Sequence, residues 1–258
     1  MASPSIALVP LLSLGALAYA IGLLAARRRG RSWPAVRAAC WYAGLAALTA
    51  GLAAPDTSFT AHMAGHLLLG MAGPLLLVLG APGTLAFRAL PVRPARRLSR
   101  FLAARPVRVV IHPITALVLD AGGLWLLYTT RLYPAMMHSP LIQLHMLAAG
   151  FLMTYAVAGT DPMPRRPSRA VRAVALLVLL AAHGVLAKYL YAHPPAGVPL
   201  PDAETGAELM YYGGDLADLA LVVLFCWQWY DPARFRVGGR RAPQPWRLEA
   251  PGSSAPGG

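Results

Sequence analysis

His62 and His66 stand four residues apart with Met63 between them. On a helix that spacing puts both imidazoles on one face. His138 and His145 are seven apart, nearly two turns, and share a face if their helix starts early enough. Met136, Met137 and Met146 flank this second pair, and His193, Glu208 and Met210 follow later in the chain. Imidazole and thioether donors suit copper, the thioether Cu(I) especially, whereas Mg or Ca would call for hard oxygen ligands. Residues 62–66 read HMAGH and lack the glutamate of a zinc-hydrolase helix, so zinc-assisted hydrolysis is not expected. A plainer reading stands beside the metal: histidine is tolerated at helix ends, and methionine is common packing material.

A second set of polar residues lies inside apolar runs: Asp120, His183, Asp215 and Asp218. The last two are three apart and roughly share a helix face, and Lys188 is about a turn from His183. Ionisable groups at such positions are costly unless paired or hydrated. They serve either as mutually satisfied pairs that hold helices together, or as a proton or ion path, or as a second station for metal. Residue spacing alone leaves these open.

The elements that must carry these residues are long apolar runs. Seven are near the ~20 residues a helix needs to cross a bilayer: Ile6–Ala26, Ala38–Ala54, His62–Gly80, Val109–Tyr128, Leu141–Ala158, Val171–Tyr191 and Ala207–Tyr230. The composition agrees, with 57% hydrophobic and only 13% charged residues in 258. Of the 23 basic residues, all but Arg131 and Lys188 fall in the alternate connections and the C-terminal tail. They are Arg27, Arg28, Arg29, Arg31 and Arg37; then Arg88, Arg93, Arg96, Arg97, Arg100, Arg105 and Arg108; then Arg165, Arg166, Arg169 and Arg172; then Arg234, Arg236, Arg240, Arg241 and Arg247. Basic loops stay cytoplasmic. The expectation is an all-α integral membrane protein: a seven-helix bundle over residues 1–230, N-terminus outside, with a disordered basic cytoplasmic tail over 231–258.

That distribution turns the net charge of +13 into topology rather than a sign of nucleic acid. It also places His62, His66 and His145 toward the outside, with the Asp/His set nearer the middle. Ala18-Tyr19-Ala20 resembles a signal-cleavage site, but arginines follow the first run rather than precede it, so a retained anchor is expected. His193–Thr205, with four prolines, reads as a stiff extended loop. Pro74 should kink the third run, and glycines there and at Gly213 and Gly214 allow close helix approach. His112 opens the fourth run at the basic side, too far away to join the outer histidines. Cys40 and Cys226 make no disulfide framework.

The run HMAGHLLLGMAGPLLLVLGAP (His62–Pro82) resembles the signature of the CtaG-type cytochrome c oxidase assembly factors: His-Met-x-x-His, then Pro-Leu-Leu, then Leu-Gly-x-Pro. His145, Asp161-Pro162 and His183-Gly184 match further family positions. Asp202, Gly206 and Met210 resemble its Asp-Gln-Gln-x-x-Gly-x-x-Met stretch. Ala203 and Glu204 replace the two glutamines, so no amide role carries over. The resemblance extends from Phe59 to Tyr230. It implies a polytopic, non-enzymatic protein of the bacterial plasma membrane that delivers copper to an oxidase subunit carrying a copper centre. Its metal candidates are His62, Met63, His66 and His145; ligand chemistry adds His138 and Met137. Two other functions remain open: a haem-binding electron-transfer protein, with intramembrane histidines as axial ligands, and a proton- or metal-coupled transporter using Asp120, Asp215 and Asp218. A retinal protein is disfavoured, because Lys188 is the only lysine and does not lie in the last run.

Overall fold

The computed structural model describes residues 8–55, 57–130, 132–133, 139–163 and 165–230. Arg131, Met136, Met137, His138 and the expected tail 231–258 lie outside the described residues. The described residues are helical and contain no strand. Six helical stretches are long and apolar enough to cross a membrane: Val9–Arg28, Ala35–Leu52, Phe59–Ala89, Pro140–Ala158, Arg169–Ala192 and Leu200–Tyr230. The apolar stretch Pro113–Thr129 is shorter. At about 1.5 Å per residue it spans roughly 26 Å, just under a hydrocarbon core.

In chain order, α1 (Val9–Arg28) and α2 (Ala35–Leu52) precede the central element. That element runs through α3 (Phe59–His66), a π-helical turn (Leu67–Ala72) and α4 (Gly73–Leu79). α5 (Pro82–Ala89), α6 (Val92–Leu102) and α7 (Arg105–Val110) carry most of the basic connection that follows. A second central element joins α8 (Pro113–Leu117), a π-helical turn (Val118–Gly122) and α9 (Gly123–Thr129). α10 (Pro140–Ala158), α11 (Arg169–Ala192) and α12 (Leu200–Tyr230) complete the bundle.

The first π turn has a local cause. Pro74 offers no N–H, and the turn before it is under-wound, with the Gly73 N–H reaching the Leu68 carbonyl five residues back. The expected proline kink is therefore taken up as a π turn. The connection 193–205 is only partly extended. α12 begins at Leu200, and Pro201 sits in its first turn, where the missing N–H would have been unpaired anyway.

The α3–α4 element is the hub. α2 and α10 pack on α4 and the first π turn, and α12 packs on α3 and α11. Packing is close where glycines face backbone. A Cβ at Gly150 would collide with the Gly70 carbonyl, and one at Gly51 would lie 3.1 Å from the Gly65 carbonyl. Such small-residue contacts are how helices associate where lipid is as apolar as the side chains. The outer faces are apolar too: Leu14 is 62% exposed, Leu177 65% and Leu216 71%. Large apolar stripes turned outward on long helices suit lipid, not water.

The basic connections meet at one end of the bundle. Arg31 donates to the Arg88 carbonyl and Arg88 to the Ser32 carbonyl. Arg166 donates to the Gly159 carbonyl and to Gln228 Oε1 near the end of α12. Tyr128 at the close of α9, the start of α3 and the start of α12 meet at the opposite end.

Candidate functional site

The site begins with how α3 starts. Ser58 caps it, its Oγ accepting the Ala61 N–H at 3.1 Å. The Asp202 carboxylate, from the first turn of α12, accepts the Phe59 N–H at 2.6 Å, the Thr60 N–H at 3.1 Å and the Thr60 hydroxyl at 2.7 Å. Together they satisfy donors that a helix start leaves without partners, and the carboxylate meets the positive end of the helix dipole. This clamp sets the rotation of α3 against α12, and so the direction of His62, Met63 and His66.

His62 lies in an aromatic surround. Its Nε2 is 2.9 Å from the Tyr128 hydroxyl, and its ring centroid is 5.3 Å from that of Tyr133. Met63 is fully buried. One turn deeper, His66 meets the edge of Tyr128 and is 3% exposed. Across from it on α11 is His183, 4% exposed, with ring centroids 6.3 Å apart and planes tilted by 31°. None of the four ring nitrogens of His66 and His183 makes a hydrogen bond. Asp218 Oδ2 is the nearby carboxylate, 3.7 Å from His183 Nδ1. A neutral imidazole carries one N–H and one lone pair, so each ring has both unpaired in either tautomer. Leaving such groups buried costs about 1–3 kcal/mol each, which water or an ion would offset.

This pairing corrects the two-layer expectation from sequence. His66 is seven residues into α3 and His183 nine residues from the end of α11. At ~1.5 Å per residue both lie roughly 10–14 Å from the same end of the bundle. The site is buried rather than shallow.

Three small cavities share walls along this level. The first is lined by His62, Gly65, His66, Gln143 and Met146 among others, the second by His66, Gly70, Asp120, His145 and Met146, the third by Gly70, Asp120, Met153, Thr154 and Asp218. Their volumes are about 30, 20 and 30 Å³, room for one or two waters each. A polar line thus runs from His62 past His66 and Asp120 to Asp218. Asp218 is buried, whereas Asp215 is exposed on the outer side of α12, so the two do not share the same wall.

His145 is on the line but turned differently. Its Nε2 is 3.1 Å from the Leu119 carbonyl. A carbonyl only accepts, so Nε2 carries the hydrogen and Nδ1 keeps the lone pair. The ring lies against Gly123, where a Cβ would be 2.5 Å from Nε2. His138 and Met137, named with it from sequence, lie outside the described residues. Among the described residues no group of three or more His, Cys, Asp or Glu is gathered to hold a metal.

Residues 17–231 match the cytochrome c oxidase caa3 assembly factor (Caa3_CtaG) family. The chain belongs to this family. It is similar to uncharacterized proteins of Mycobacterium bovis and Mycobacterium tuberculosis, each 33% identical over 87% of this chain and 38% of the relative. A Mycobacterium leprae protein, also uncharacterized, is 31% identical over 65% of this chain and 28% of its own length. The chain thus spans well under half the length of these curated relatives. No solved structure matches it.

In this member of the family the two aspartates that carry the resemblance are helix clamps. Asp202 holds the start of α3 at one end. At the basic end Asp161 accepts the Gly83 N–H at 2.8 Å, the Thr84 N–H at 2.7 Å and the Thr84 hydroxyl at 2.7 Å, capping α5. Three participants were not anticipated from sequence. Tyr128 and Tyr133 surround His62. Gln228 lies near the end of α12. It is buried, donates to the Ala158 carbonyl at 2.6 Å, and accepts from Arg166 at 2.7 Å and from Arg172 at 3.3 Å. A lone glutamine inside an apolar run is the signal that could have singled it out.

Proposed function

We propose that this chain is a membrane-embedded assembly factor for cytochrome c oxidase that takes up copper at its outer face through His62, Met63 and His66 and passes it to the oxidase subunit carrying a copper centre. The observation that carries this reading is His66: a buried imidazole whose two nitrogens make no hydrogen bond, in the motif that ends α3. Nitrogen and thioether donors fit copper, Cu(I) above all. His62 is nearer the start of the helix and bonded to Tyr128, which suits an entry ligand that yields its ion inward. Copper here is cargo.

The arrangement in the membrane follows. Pro113–Thr129 begins near Arg165 and Arg166, where it shares a pocket with them through His112, and ends with Tyr128 against His62. It therefore runs from one end of the bundle to the other, and we count it as the seventh crossing. With the basic end cytoplasmic, the N-terminus is outside, and the bilayer is the plasma membrane of a bacterium.

The test is Cu(I) content of the protein purified from membranes, together with the copper content of oxidase matured in its presence. The expected result is roughly one copper per chain, lost in the double variant His62→Ala/His66→Ala. Unchanged copper in that variant would sink the reading. A strong haem absorption band in the purified protein would favour the electron-transfer alternative instead. The spaces beside His66 hold only a water or two, which is far too little for a porphyrin.

A further inference from the structure

We infer that the copper cargo rests between His66 and His183, in a two-coordinate site for a soft monovalent ion, with Asp218 orienting His183 and supplying counter-charge. This rests on the copper reading above and names the site that reading leaves at the entry. Two imidazoles from different helices lie with centroids 6.3 Å apart. Two metal–nitrogen bonds of about 2 Å plus the two ring radii span roughly that distance. Both rings are more than nine-tenths buried, and none of the four nitrogens makes a hydrogen bond.

The surroundings indicate which atoms face the ion. The atoms of His66 nearest Gly70 on its own chain are Cε1 and Nδ1, which leaves Nε2 as the distal nitrogen. His183 Nδ1 is 3.7 Å from Asp218 Oδ2. A carboxylate behind one nitrogen of a metal-bound imidazole fixes the ring and the tautomer, and it leaves the other nitrogen to the metal. Gly214 lies against the His183 ring, where any Cβ would collide with it. Asp120 on the α8–α9 element and Asp218 on α12 line one shared cavity at this level. A monovalent cation in an apolar interior needs such a counter-charge.

Ion type follows from ligand number. Among the described residues no third His, Cys, Asp or Glu completes a metal-holding group. Zn²⁺ takes four ligands, whereas soft monovalent copper accepts few and favours nitrogen and sulfur. Met63 and Met210 are buried in one cluster with Tyr128 and Leu186.

The experiment is Cu(I) titration of the full chain in detergent against a chromophoric Cu(I) chelator, with Ag(I) and Zn(II) as competitors. The expected result is one Cu(I), displaced by Ag(I) and not by Zn(II). Binding should be lost in His183→Ala and in His66→Ala, retained in His62→Ala, and restored in His183→Met, which returns a soft ligand. Asp218→Asn should weaken binding by about 10–100-fold without abolishing it. X-ray absorption should show two nitrogen neighbours. If His183→Ala binds like the parent while His62→Ala/His66→Ala does not, the site is wrong and the copper reading stands. If the parent binds no Cu(I), both fall. Displacement by Zn(II) overturns the two-coordinate assignment. The His183→Met arm keeps the test decisive even if the alanine variant folds poorly.

Discussion

His183 owes its position to a glycine. A Cβ at Gly214 would overlap the ring, with Nδ1 at 2.7 Å and Nε2 at 3.1 Å. Gly184, next to His183 in the chain, has only Tyr211 near its missing Cβ, at an ordinary 3.7 Å. The two glycines therefore predict opposite outcomes. Gly214→Ala should displace His183 and destabilise the protein by about 1–3 kcal/mol through overpacking. Gly184→Ala should be neutral or stabilising, because alanine is the better helix former by about 1 kcal/mol. Thermal unfolding in detergent checks both, at roughly 2–4 °C per kcal/mol for a chain of this size. Equal midpoints for the two variants would contradict this account of Gly214.

Helix starts and helix crossings are governed by a few long-range contacts. Asp161 and Asp202 each accept three hydrogen bonds from the first turn of a helix far away in the chain. Alanine at either should cost about 1–3 kcal/mol by leaving donors unpaired. The loss should be larger for Asp161, which is 8% exposed, than for the half-buried Asp202, whose abandoned donors water can reach. Thermal midpoints of the two variants, compared in one detergent, test that order. Gly150→Ala should be worse than either. The atom in its way is the Gly70 carbonyl, and backbone cannot rotate aside as a side chain can. The expected outcome is a drop in folded yield on size-exclusion chromatography, with α10 pushed off the hub. Normal yield and midpoint would show that the helices can separate there at little cost.

At the level of the bundle, the arrangement predicts which surfaces face which compartment. Thr205 and Ser99 are both exposed, near the start of α12 and on α6 respectively. In a chain with Cys40 and Cys226 replaced by serine, Thr205→Cys should react with an impermeant thiol reagent applied from outside. Ser99→Cys should react only after the membrane is opened. Labelling of both from one side would refute the seven-crossing arrangement, since the two positions lie on opposite sides only if Pro113–Thr129 crosses.

Much of this fold was legible along the chain. The apolar runs, their alternation with arginines, and the resemblance beginning at His62 are local properties, because a bilayer imposes length and hydropathy on each segment separately. Depth and partnership were not legible. His66 and His183 were assigned to different levels because a helix's pattern does not reveal where its first turn begins. The Asp202 clamp, 142 residues from Thr60, sets α3 beginning at Phe59. Asp218 is buried with Oδ2 3.7 Å from His183 Nδ1, whereas Asp215, three residues earlier, is exposed. Rotation about a helix axis is decided by what the neighbouring helix packs against, here Gly214 on the His183 ring and Gly150 on the Gly70 carbonyl. Residue types along the chain supply imidazole and thioether donors of the kind that suit soft metals. Which two imidazoles face each other with nothing to bond was settled by close packing between helices, a contact that linear spacing does not encode.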